Sequence, residues 1–241
     1  MLFRSRDSLA IAERLVAADP SNTQWQRDLS VLYNRLGDVL VAQGKLEEAL
    51  KANRDGLAIA ERLAAADPSN TEWQHDLSAS FIKLGDVLVA QGKLDEPLKA
   101  YRDSLAIAER LVAADPSNTQ WQRDLSAFYN RLGDVLVAQG KLEEALKTDR
   151  DGLLIAERLA AADPSNTEWQ HDLAASYSKL ARDDEQQGDI AQAVAELRKG
   201  REIMARLFAL ASGNAQWQRD LAFFERQIAR VEALARDGAR N

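Results

Sequence analysis

DPSNTQWQRDLSVLYNRLGDVLVAQGKLEEAL, residues 19–50, is the stretch on which the fold turns. Its polar opening offers Ser21, Asn22 and Thr23 to cap a helix, and Thr23 with Gln26, or Ser21 with Gln24, has capping-box spacing. Trp25, Leu29, Leu32, Tyr33, Leu36 and Leu40 then recur at the offsets of one helical stripe. Gly44 ends this first helix, because glycine accepts the left-handed backbone a helix terminus needs. A second stripe follows at once through Leu46, Ala49, Leu50, Asn53, Leu57, Ala60 and Leu63. Asp67-Pro68 stops it, since the residue before proline is driven away from helical geometry. The unit is a helical hairpin, with a first (A) and a second (B) helix, and nothing in the chain reads as a strand.

The unit repeats. Trp25, Trp73, Trp121, Trp169 and Trp217 recur every 48 residues, QWQRD alternates with EWQHD, and residues 6–30 return letter for letter as 102–126. A block of 96 residues has therefore been copied. The expected organisation is a single array over residues 1–241. It comprises a lone B helix at 1–20, repeats at 21–68, 69–116, 117–164 and 165–212, and a capping helix at 213–241. The fold class that follows is an all-α solenoid of stacked antiparallel hairpins with about ten helices.

The two ends read differently. The chain opens inside a B helix, whose apolar face lacks the A helix of its own hairpin. That face suggests either a longer array or a surface for self-association. Toward the other end, Asp183-Asp184-Glu185 replaces Val39-Leu40-Val41 and reads as a solvating run. Glu225 and Glu232 stand where Tyr33 and Leu40 would fall, the polar outer face expected of a terminal repeat.

Composition excludes several function classes. A net charge of −7 argues against a sequence-independent grip on nucleic acid. The absence of cysteine removes disulfides, thiolate metal sites and thiol nucleophiles. No apolar run reaches the roughly 18–20 residues of a membrane span, and the first residues have no signal-peptide core, so the expected location is the cytoplasm. His75 and His171 lie two units apart, beyond the reach of one metal ion, when even adjacent packed helices are about 8–10 Å apart. No cofactor is expected, and no nucleophile has a paired base at a supporting spacing, so the chain does not read as an enzyme.

Within each unit an aromatic, Leu-Gly, a large apolar residue, a glycine, small residues and a proline occur in fixed order. In the first repeat these are Tyr33, Leu36-Gly37, Leu40, Gly44, Ala49, Gly56 and Pro68. In the second they are Phe81, Leu84-Gly85, Leu88, Gly92, Pro97, Ser104 and Pro116. This pattern resembles the tetratricopeptide repeat family, with units lengthened to 48 residues. The resemblance implies a right-handed superhelix whose A helices line a concave groove, and a protein or peptide partner bound there.

Carried over position by position, the implied groove set includes Asn34 and Asp38; Ile82 and Asp86; Asn130 and Asp134; and Ser178 and Arg182, and Arg27, His75, Arg123 and His171 extend that stripe into the added turns. Asn34 and Asn130 would hold the backbone of an extended peptide. The family's carboxylate clamp, which needs lysine and asparagine here, is missing. A plainer reading pairs Asp38 with Arg35, Asp86 with Lys83, Asp134 with Arg131, Glu72 with His75 and Glu168 with His171 on single helix surfaces. The tryptophans belong to the apolar stripe and are expected to face the core as packing anchors.

Overall fold

A computed structural model describes the backbone of residues 2–238 and the side chains of residues 7–236. Ten α-helices follow one another, with no strand among the described residues. They are α1 (Leu2–Ala18), α2 (Thr23–Ala42), α3 (Leu46–Ala66), α4 (Thr71–Ala90), α5 (Asp95–Ala114), α6 (Thr119–Ala138), α7 (Leu142–Ala162), α8 (Thr167–Gln186), α9 (Ile190–Leu210) and α10 (Ala215–Gly238). They form two compact units, Met1–Ser117 and Asn118–Asn241. In the first, α1 packs on α2, α2 on α3, α3 on α4 and α4 on α5. In the second, the same succession runs from α6 to α10. Each unit is an α-solenoid of stacked antiparallel hairpins.

Helix boundaries follow from local chemistry. The caps of α2, α4, α6 and α8 are Asn22, Asn70, Asn118 and Asn166, whose side-chain oxygens accept from the N–H of the tryptophan three residues on. The capping boxes expected on Ser21 or Thr23 do not form. Ser21 instead closes a turn on Asp19, and Gln26 donates to the Pro20 carbonyl. At the other end of α2, Lys45 N–H reaches Leu40 O at 2.9 Å and Gly44 N–H reaches Val41 O at 2.9 Å. This Schellman closure requires the positive φ of 73° that Gly44 adopts.

The hairpins close on small residues. Ser30 Oγ donates to Gly56 O at 2.8 Å, and Ser126 Oγ to Gly152 O at 2.8 Å. Leu29, Leu36, Leu40, Ala49 and Leu50 fill the first core, while Leu173, Leu180, Leu197, Met204 and Leu207 fill the second. The tryptophans are half-buried rather than sealed: each lends one face to packing and leaves part of its indole open.

The Asp183-Asp184 run is not a solvating one. Both side chains are buried, because helical periodicity keeps them at the core positions that Val87 and Leu88 hold in the second repeat.

Candidate partner-binding surface

In an array of period 48, a side chain on one A helix meets the A helix of the next repeat near the residue 48 further on. The polar groove candidates are joined in this way. Arg27 Nε pairs with Asp76, and its Nη1 lies 2.7 Å from Glu72 Oε1. In the second unit, Arg123 Nε lies 2.6 Å from Asp172 Oδ2 and Nη1 lies 2.7 Å from Glu168 Oε1. His171 Nε2 is 3.0 Å from Asp220 Oδ2. The fourth residue of one tryptophan pentapeptide thus clips to the fifth residue of the next.

The aspartate ladder is stapled too. Lys83 Nζ donates to both oxygens of Asp38 at 2.8 Å. Asp134 accepts from Lys179 at 2.5 Å and from Arg182 Nη1 at 2.6 Å. Burial opposes the charge on Asp134, but Lys179 and Arg182 overcome it and hold the carboxyl below the usual range. Asp86 accepts from Tyr101 Oη of α5 at 2.8 Å. The bonds at Asp38, Asp134 and Glu72 therefore cross to another helix, where a reading along one helix surface expects i,i+3 pairs.

Asn34 Nδ2 donates to Ser80 Oγ at 2.8 Å, and Asn130 Nδ2 approaches Ser176 Oγ at 3.4 Å. Ser178 and Arg182 are half-buried, and His75 is half-buried on α4. Ile82 is 4% exposed and packs in the core, so it cannot line an open groove. Here the stripe turns inward, and an aliphatic side chain follows it.

The partners Asp76, Asp172, Asp220, Lys83 and Lys179 were not among the expected site residues. Their signal was present as opposite charge at separations of 45 and 49 residues.

Behind this ladder, the second unit holds a buried ionic cluster. Asp149 of α7 and Asp183 of α8 are both fully buried, and Arg182 Nη2 reaches Asp183 Oδ1 at 2.9 Å and Asp149 Oδ2 at 3.4 Å. Burial, followed by the neighbouring Asp183, pushes the Asp149 carboxyl up to about 9. Burial likewise raises Asp184 to about 6, against the opposing pull of Arg150. The first repeat has Asn53 at the position of Asp149 and bonds its Nδ2 to Lys83 O at 2.8 Å.

The A-helix face of the second unit also carries an open cleft of about 310 Å³ between α6 and α8. Its floor is Ala156 and Leu159 of α7, and its walls include Ala127, Asn130, Trp169 and Ala175. Among the described residues, no group of three or more His, Cys, Asp or Glu is placed to hold a metal ion, and no helix is long and apolar enough to cross a membrane.

Two family models match the sequence, both described as tetratricopeptide repeat, over residues 31–68 and 174–199. The matches fall on the α2–α3 and α8–α9 hairpins. The chain carries tetratricopeptide repeats. Such repeats make up a protein-interaction scaffold. Solved structures share the fold, two of them as follows. BtubC (BKLC) from P. vanneervenii superposes with a TM-score of 0.63 at 16% identity, covering 98% of this chain and 91% of that one. The apo form of RapI superposes with a TM-score of 0.65 at 12% identity, covering 98% of this chain and 80% of that one. No curated protein matches the sequence. Identities this low speak for the fold alone.

Proposed function

We propose that this TPR chain is a protein–protein interaction scaffold that holds a partner segment on the face formed by its A helices, without chemistry of its own. The observation that carries this reading is the cleft between α6 and α8, which opens on that face between the rungs of the charge ladder. Because Arg27, Arg123, Asp38 and Asp134 are already paired within the chain, their contribution is a fixed electrostatic frame. Partner affinity then comes chiefly from apolar surface left between the rungs, as in interfaces where a few well-packed anchors dominate. The test is partner capture by the wild-type chain, by Ala175→Trp on the A face, and by Lys51→Glu on a B helix. Capture should fail with Ala175→Trp and survive Lys51→Glu; the opposite pattern would sink the groove reading.

A second reading is self-association through α1. Leu15 is 38% exposed, whereas its repeat equivalents Leu63, Leu111, Leu159 and Leu207 are all buried, and Ile11 beside it is 57% exposed. Light scattering over a concentration series tests it, with Leu15→Glu as the disrupting variant. A chain that stays monomeric throughout excludes this second reading.

A further inference from the structure

Residues 6–51 and 102–147 are the same sequence displaced by 96 positions, with two exceptions: Val31 becomes Ala127, and Leu32 becomes Phe128. Phe128 turns inward and is buried. Ala127 faces outward, into the cleft between α6 and α8. The other nine residues lining that cleft are identical to their counterparts in the first unit, Trp169 matching Trp73 and Ala175 matching Ala79. Among the residues lining the cleft, one Val-to-Ala difference therefore separates the two junctions, while Ile82 becomes Ser178 and Asp86 becomes Arg182 further along the same helices.

Val31 is half-buried, and Ala127, two methyl groups smaller, is exposed. The junction around Ala127 is also looser. The asparagine–serine contact lengthens from 2.8 Å at Asn34–Ser80 to 3.4 Å at Asn130–Ser176. The clip carboxylate goes from 18% exposed at Asp76 to 38% at Asp172. Among the residues lining the cleft, Arg123 stands against the carboxylates of Asp124 and Asp172; just beyond them Glu168 also pairs with Arg123, and Lys179 Nζ lies 3.5 Å from Asn130 O. The cleft is therefore apolar at its floor and net negative at its mouth. Its volume of about 310 Å³ is at the small end of ligand sites, which run from roughly 300 to 1,000 Å³.

We propose that this cleft is a specificity pocket for one aliphatic side chain of a peptide segment, with a lysine or arginine beside it meeting Asp124 and Asp172. Ala127 is the residue that opens it. The proposal rests on the groove reading above and names the chemistry of the partner that reading requires. The aliphatic group covers Leu159, Ala156 and the open face of Trp169, while the basic neighbour answers the excess of carboxylates. An acidic segment would meet repulsion at the same rim.

The experiment is selection of phage-displayed random dodecapeptides on the full chain, followed by affinity measurement of the synthesised winner. The variants are Ala127→Val, which installs the residue the first unit already carries and so fits the fold, and Ala175→Trp, which blocks the face with bulk. The expected winner has Leu, Ile, Val or Met next to Lys or Arg, and loses at least about tenfold in affinity with Ala127→Val. Melting curves should be unchanged by that substitution. A winner weakened by Ala175→Trp but not by Ala127→Val overturns the pocket and leaves the groove reading standing. A winner indifferent to both variants, or a selection that enriches nothing, overturns the pocket and counts against the groove reading too. Enrichment of acidic peptides overturns the assigned partner chemistry.

Discussion

Asp149 and Asp183 face each other in the core of the second unit, two carboxyl groups with side chains sealed from solvent and one guanidinium, Arg182, reaching both. Carboxylate oxygens accept but do not donate, and Asp149 Oδ1 and Asp183 Oδ2 are left without a partner in that state. A proton on Asp149 supplies the missing donor and removes one of two adjacent buried charges. The Asp149 carboxyl is therefore protonated at neutral pH.

This has a sign for stability. Asp149 holds its proton in the folded chain up to about 9, whereas in the unfolded chain it loses it near the ordinary 3.8. Between those values the folded state binds more protons, so stability falls as pH rises, by at most about 1.4 kcal/mol per pH unit from this group. Urea unfolding at pH 5, 7 and 9 should show the decline, and Asp149→Asn should flatten it, since Asn53 shows the fold accepts asparagine there. Parallel pH profiles for the two proteins would rule this account out.

Arg182→Ala should be severe, because it strands the buried Asp149–Asp183 pair without its cation. The expected loss is about 3 kcal/mol, at the lower end for breaking a buried pair since Arg182 is partly exposed. Adding Asp183→Val, the residue found as Val39, Val87 and Val135 in the other repeats, should recover most of it. A double mutant as unstable as Arg182→Ala alone would contradict the pairing.

The inter-repeat clips are smaller effects. Arg123→Ala and Asp172→Ala should each cost about 1 kcal/mol, and the double variant should cost clearly less than their sum. Strict additivity in a double-mutant cycle would mean that the contact contributes nothing.

Gly85→Ala tests the close approach of α4 and α5. A methyl group there would lie 2.2 Å from Tyr101 Cε1, against a ring that is itself buried and hydrogen-bonded to Asp86. The expected loss is about 1–3 kcal/mol. A melting temperature equal to that of the wild-type chain would show that the ring moves aside freely.

The hairpin architecture was legible from spacing: a tryptophan every 48 residues, Gly44 at a left-handed turn and Pro68 after a helix end each state their local consequence. The cap missed by one residue, because Ser21, Asn22 and Thr23 all have capping chemistry and only backbone geometry selects Asn22. The pairing of Asp38 with Lys83 rather than with its own helix was hidden. It depends on how far one helix is displaced along the next, which a pattern along a single helix does not contain. Asp183 and Asp184 misled for a related reason. Charge suggests solvent, and only the three-dimensional placement of Arg182 beside Asp183 and of Arg150 beside Asp184 makes burial tolerable.

The clips linking Arg27 to Asp76, Arg123 to Asp172 and His171 to Asp220 have a direction: the fourth residue of one pentapeptide donates forward to the fifth of the next, and the pentapeptide at 168–172 takes both parts. A gene segment carrying one unit therefore encodes both halves of a joint, the plug and the socket. When such a segment is copied in tandem, the newcomer can couple to its neighbours without any further mutation. Lengthening then requires only a replication error, while point changes such as Val31 to Ala127 can diversify the copies afterwards.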